Sequence, residues 1–412
     1  MTEITTAMPG GKSFVAAEER LGATREIALR LLSYCRTNDW AGYDPYDALN
    51  SRIFQALPFL NFKLARLALT QANKRSPINL RPLLLVPKSH NPKGLALFLV
   101  SLLKLGRAGL VEDDGTVGRM ADRILALRSE NTPYTCWGYN FAWQTRFELV
   151  PRGLPNIICT TFAGNALLDL HASCPEARYL EAAESAANFI LDVLYWKPGA
   201  GDSCFSYTPL WRAQVHNANL LGAAFLYRVG RVSGAKKFLE PALEAARFSV
   251  KHQGQDGSWD YGESDSPSQR WKDNFHTGYN LCALRNLGRS ADTTEFEPSV
   301  RLGFKFYRDH FFREDGAPKY YHNATHPIDV HSVAQSVITL LALQDLGGDN
   351  VELARAVLAW SISNLWDERR SYFYCQKHPR YTVKIPYMRW AQAWMLLALA
   401  TMLEQAIQEI RP

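Results

Sequence analysis

The chain has 412 residues, 47% of them hydrophobic, with a formal net charge of +6 and a pI near 8.8. That length supplies a sizeable core. The basic charge is mild and dispersed, which excludes a dedicated nucleic-acid surface and suits a small anionic or glycan ligand where arginines gather.

The opening, MTEITTAMPGGKSF, has neither a basic n-region nor an apolar h-region. Seven scattered cysteines read as free thiols of a reducing compartment, so a cytoplasmic protein is expected. AAEERLGATREIALRLLSYC predicts a first amphipathic helix, followed by the polar-aromatic loop GYDPYDALNS. An inserted helix is expected over 56–73, from the run IFQALPFLNFKLARLALTQA and the asparagine after it. NPKGLALFLVSLLKL then predicts a helix apolar on every face but too short to cross a bilayer. The VEDDG turn reads as a loop cap before the charged helix GRMADRILALRS.

From there the chain repeats itself. TTFAGNALLDL, QVHNANLLGAA, FHTGYNLCAL, VHSVAQSVITLLAL and YMRWAQAWMLLALA align on an amide at Asn165, Asn219, Asn280, Gln335 and Gln392. The spacings are 54, 61, 55 and 57 residues. Amphipathic, charged helices lie between these buried ones. Six inner and six outer helices predict an all-α fold, an (α/α)6 toroid of six helical hairpins, spanning 1–412 as a single domain. Inner-to-outer connections such as LGGDN are short. Outer-to-inner connections are long, and long loops in a compact domain usually carry function. All of them fall over the N-termini of the inner helices.

Those loops are rich in aromatic rings, histidines, amides and arginines. Rings stack on sugar faces, amides and carboxylates satisfy hydroxyls, and a guanidinium offers a planar fork for a carboxylate or phosphate. His216, His276 and His331 open successive inner helices, where free N–H groups favour anions and a neutral imidazole. With Tyr139 and Tyr261 they are the catalytic candidates. Asp44, Trp137, Trp143, Arg146, Asn217, Trp271, Asp273, Tyr387 and Arg389 are the substrate-binding candidates. HNATHPIDVH brings His322, His326, Asp329 and His331 close in sequence, all workable zinc ligand types. The segment reads as loop and no CxxC pair accompanies it, so neither metal nor cofactor is expected.

YDPYDALNS and CWGYNFAWQTR, with the repeat pattern, resemble a bacterial family of (α/α)-toroid proteins. That family is linked to capsule, exopolysaccharide or lipopolysaccharide biosynthesis. The resemblance covers nearly the whole chain and implies a glycan context beside a membrane-associated assembly complex. More distantly, the ring is similar to glucuronyl C5-epimerases, α/α-barrel polysaccharide lyases and unsaturated glucuronyl hydrolases, without a motif that carries a catalytic residue over. Gln253, Gly257 and Trp259 resemble the glutamine–tryptophan repeat of terpenoid-cyclase toroids, which implies a glutamine tying a helix end and a tryptophan under the next repeat.

Four functions follow. An enzyme acting on a uronic-acid-containing glycan would remove the proton α to the carboxyl group, with histidine or tyrosine as base and acid and Arg146, Arg389 or Asn217 at the carboxylate. A glycoside hydrolase needs two facing carboxyls, about 5 Å apart for retention or roughly 6.5–9.5 Å for inversion, from Asp44, Asp47, Asp260, Asp273 and Asp329. A non-catalytic glycan-binding subunit needs only the loop inventory. A terpenoid-cyclase-like enzyme is disfavoured, because the loops carry many hydrogen-bonding groups and no DxDD.

Overall fold

The structure is a computed structural model; it describes residues 11–145, 148–199, 201–263 and 269–410. The helices in chain order are α1 (Gly11–Thr37), α2 (Arg52–Gln55), α3 (Lys63–Arg75), α4 (Pro92–Arg107), α5 (Thr116–Ala126), α6 (Ile157–Ser173), α7 (Ala177–Phe189), α8 (His216–Ser233), α9 (Leu239–Lys251), α10 (Asn274–Ala291), α11 (Glu297–Phe311), α12 (Val330–Ala342), α13 (Asn350–Leu365) and α14 (Trp394–Ile410).

Helices α4, α6, α8, α10, α12 and α14 each pack on the next, and α14 returns to α4, which closes a ring. Outside it, α5, α7, α9, α11 and α13 lie on the inner helix that precedes each, and α1 lies on α14. This is the (α/α)6 toroid that the repeat predicts. The inner helices are buried nearly all round because alanine and glycine let them approach closely. A Cβ at Gly164 would sit 2.4 Å from the Phe225 ring of α8.

Two of the repeated amides fasten incoming loops to the ring. Asn219 accepts from the Phe205 N–H at 2.9 Å and donates to the Ala245 carbonyl at 2.6 Å. Gln392 does the same for both backbone groups of Phe373, at 2.9 and 2.8 Å. Buried backbone groups left unpaired would cost about 1–3 kcal/mol each, so these side chains fix where the loops run.

The glutamine–tryptophan motif is also structural. Gln253 donates to the Gly257 and Ser299 carbonyls at 2.9 and 3.0 Å, joining the end of α9 to α11. The buried Trp259 donates to the Ser249 carbonyl at 2.9 Å. Gly257 has φ +87, and a Cβ there would lie 2.3 Å from the Leu302 carbonyl, so only glycine fits.

Two features depart from expectation. The insertion over 56–73 is not one helix. Pro58 lacks a donor and pushes Leu57 out of helical geometry, so a 3-10 turn at Pro58–Leu60 precedes α3. The long loops also hold short antiparallel pairs, such as Gln214–Val215 with Gly262–Glu263 and Gln376–Lys377 with Ile328–Asp329. Two-residue strands leave no periodicity to read.

Candidate active site

Four inner helices start with a side-chain cap at the long-loop end: Asn91 to Gly94, Asn156 to Cys159, Asp273 to His276 and Asp329 to His331. Each cap satisfies a donor the helix cannot. At that end a cavity of about 670 Å³ opens over the ring. Of the sequence candidates, His276, His331, Tyr139, Tyr261, Trp143, Asn217, Trp271, Asp273 and Arg389 line it.

His276 is paired with a buried carboxylate. Its Nδ1 lies 2.6 Å from Asp273 Oδ2, and Asp273 is held in turn by the Trp271 Nε1–H at 2.9 Å. A carboxylate on Nδ1 places the proton there and leaves Nε2 with its lone pair free. Tyr261 stacks on Trp271 with centroids 4.4 Å apart and tilts against the His276 ring at 4.8 Å. His331 is buried between Phe275 and Trp394, and its Nε2 meets the Tyr279 hydroxyl at 2.5 Å. Burial, with Lys93 and Arg389 adding to it, pushes His331 well below the ordinary histidine range. It stays neutral.

A buried guanidinium lies in the floor. Arg389 leaves a π-helical turn at Met388–Ala393, a distortion frequent at functional sites. Its Nε and Nη2 donate to the two Asp44 oxygens at 2.6 and 2.8 Å. The guanidinium lies over Tyr139 and Phe141. Asp44 accepts from the Tyr46 N–H and Asp47 from the Asp44 N–H, while Asp47 also holds Arg81 at 2.6 Å. The DPYD motif is therefore a paired anchor for two buried arginines.

Lys93 was not legible as a site residue. It lies in the first turn of α4, buried and lining the cavity, among the rings of Phe162, Tyr279 and Trp394. Desolvation, then Arg389, pushes its amine well below the ordinary lysine value. Lys74 and Tyr46 also line the cavity, joined at 2.9 Å. Their signals, a lone lysine in an apolar helix and one at the end of the insertion, look like ordinary surface charge.

Several candidates stand elsewhere. Trp137 is fully buried, donating to the Ile124 carbonyl at 2.7 Å, so it cannot stack on a ligand. Tyr387 is buried under Arg81. His216 turns outward to α9, to Ser249 at 3.0 Å and Glu263 at 2.9 Å; it positions Glu263, which does line the cavity. Asp44 acts through Arg389 and does not line the cavity. Arg146 lies outside the described residues. His322, His326, Asp329 and His331 do not converge, and among the described residues no three metal-ligating side chains gather.

Lys93 carries a prediction. A depressed pKa in the fold means that stability is present above the ordinary value of 10.5 and is lost as pH falls below it. Lys93→Met removes that penalty and is expected to stabilise the protein by about 1–3 kcal/mol at neutral pH, more on acidification, while weakening acidic ligands. Urea unfolding at two pH values checks it; an unchanged or lower stability contradicts it. Asp329 shifts oppositely: burial raises it from 3.8 to about 6. Its protonated form is favoured by folding, so its stabilisation is present below 3.8 and lost as pH rises through about 6. Asp329→Asn should therefore gain melting temperature relative to wild type across that window. Parallel pH curves for the two proteins would contradict it.

No protein-family model matches the sequence, and no curated protein sequence matches it. Solved structures do share its architecture. An unsaturated glucuronyl hydrolase specific for heparin superimposes with TM-score 0.63 at 13% identity, covering 94% of this chain and 98% of the other. The chain has the (α/α)6 fold of such enzymes. Cellobiose 2-epimerase from Bacillus thermoamylovorans gives TM-score 0.59 at 9% identity, covering 76% and 89%. A GH76 α-mannanase from Bacteroides thetaiotaomicron gives 0.57 at 11%, covering 78% and 88%. At these identities the likeness is one of fold, and chemistry must come from the cavity. No helix among the described residues is long and apolar enough to cross a membrane.

Proposed function

We propose that the chain is a carbohydrate-active enzyme that takes an acidic, uronic-acid-containing glycan in bacterial surface-polysaccharide biosynthesis. It removes the proton α to the uronate carboxyl group, as a C5-epimerase or lyase does. The observation that carries this reading is the Asp273–His276 pair, which bonds through Nδ1 at the wall of a cavity that Arg389 and Lys93 also line. His276 takes the proton, and the negative charge that develops on the carboxyl oxygens meets the buried Arg389 guanidinium, with the Lys93 amine as a neighbouring donor, where low dielectric strengthens the attraction. Tyr261 or the Tyr279–His331 pair returns a proton on the other face in an epimerase. In a lyase the substituent on C4 leaves instead. The aromatic walls, including Trp143, Trp196, Trp211 and Trp271, suit sugar rings. The heparin-specific hydrolase and the cellobiose epimerase with this fold agree with a glycan substrate.

A paired-carboxylate hydrolase is less well supported. Among the described lining residues the carboxylates are Glu263 and Asp273, and each is already bonded to a histidine. Acidic oligosaccharides incubated with the protein test the choice. The reading predicts ultraviolet absorbance from an unsaturated uronate, or inversion at C5. Release of a saturated reducing sugar without either would replace it with hydrolysis.

A further inference from the structure

We propose that the segment from Arg52 to Lys88, which contains the insertion, docks the protein on an anionic lipid bilayer, lying in its interface. Twelve large apolar side chains are exposed among the described residues, and seven belong to this one stretch: Ile53, Phe59, Phe62, Leu64, Ile78, Leu83 and Leu85. Phe59, Leu64, Ile78 and Leu83 are each at least 70% exposed. A concentration of this kind marks an interaction surface.

The segment is built inside out. Helix α3 buries Thr70 and Asn73 and turns Leu64 to solvent. The buried Thr70 hydroxyl and the Asn73 amide make no hydrogen bond. Folding for its own stability would reverse that pattern. Leu85 has φ +52, a left-handed conformation costly for leucine, and it is held outward there.

Charge selects the occupant. No aspartate or glutamate occurs from residue 48 to residue 111. Arg52, Lys63, Arg75 and Lys88, in the same stretch as the apolar side chains, are exposed with no carboxylate in the segment to neutralise them. Apolar residues that enter the headgroup boundary, ringed by lysine and arginine, are the composition of an interfacial anchor on anionic lipid. A second copy of the chain would bring like charge against like.

The insertion borders the cavity. Arg66 donates to Gln144 at 2.7 Å beside Trp143, and Lys74 lines the cavity itself. Docking therefore brings the cavity to the membrane. On the glycan reading above, the substrate is a glycan still attached to a membrane lipid.

The test is flotation of the full chain with vesicles of phosphatidylcholine alone, or of phosphatidylcholine and phosphatidylglycerol in equal parts. Wild type should float with the anionic vesicles, salt-sensitively, and stay down with the neutral ones. The triple variant Phe59→Ser, Phe62→Ser, Leu64→Ser should lose at least about tenfold in binding while keeping its melting temperature and its turnover of a water-soluble acidic oligosaccharide. Wild type that ignores anionic vesicles, or a variant that floats equally well, overturns the proposal. So does a concentration-dependent dimer that the variant abolishes, since the face then belongs to a second copy. Loss of turnover on soluble glycans bears on the reaction and leaves the docking result standing.

Discussion

Asp44→Ala is expected to cost about 3–5 kcal/mol of folding stability. Asp44 holds Arg389 through two short hydrogen bonds, and both side chains are nearly inaccessible to water. The attraction to Asp44 keeps the buried guanidinium charged and raised above its ordinary range against the opposing cost of desolvation. Removing the carboxylate leaves that charge with no counter-ion. The midpoint of urea unfolding reads the loss. The double variant Asp44→Ala, Arg389→Met should recover most of it, because no uncompensated charge then remains. Equal midpoints for wild type and Asp44→Ala would show that the pair does not anchor the site.

His276→Ala is expected to lower turnover by about 10²–10⁴-fold and leave the circular dichroism spectrum unchanged. The imidazole is partly exposed at the cavity wall, so little packing is lost. Asp273→Asn should lower turnover as well, by releasing the tautomer, although it also touches the cap of α10. The notable control is Tyr139→Phe. The Tyr139 hydroxyl meets the Tyr207 hydroxyl at 3.2 Å and burial raises its pKa strongly. If Tyr139 takes part in proton transfer, the variant loses turnover; a wild-type rate confines it to the wall. A wild-type rate in His276→Ala would remove the base from the account.

The ring was legible because its signal is long. Amides and apolar runs recur over five repeats, and the structure uses Asn219 and Gln392 to seat the loops. The rim was legible because long loops of one kind must gather at one end. Which side chains face inward was not. His216, His331 and His276 occupy the first, second and third positions of α8, α12 and α10. Each step along a helix turns a side chain by about 100°, and that phase sends His216 to the outer helix while the other two reach the cavity. Trp137 and Tyr387 have the composition of a sugar platform and the environment of a core, and residue type alone does not separate the two. Lys93 was hidden by the same ambiguity reversed. Its neighbours in sequence are apolar, so nothing marks the amine until Phe162, Tyr279 and Trp394 are seen around it.

The central claim is that this cavity exchanges the proton α to a uronate carboxyl. Its most direct test is solvent exchange in heavy water, with a uronic-acid-containing oligosaccharide followed by proton NMR. The account predicts that the C5 proton signal decays, or that an unsaturated product forms, with wild type and not with His276→Ala. Intact C5 protons throughout a panel of acidic glycans, with a neutral glycan being cleaved by the same protein, would contradict it.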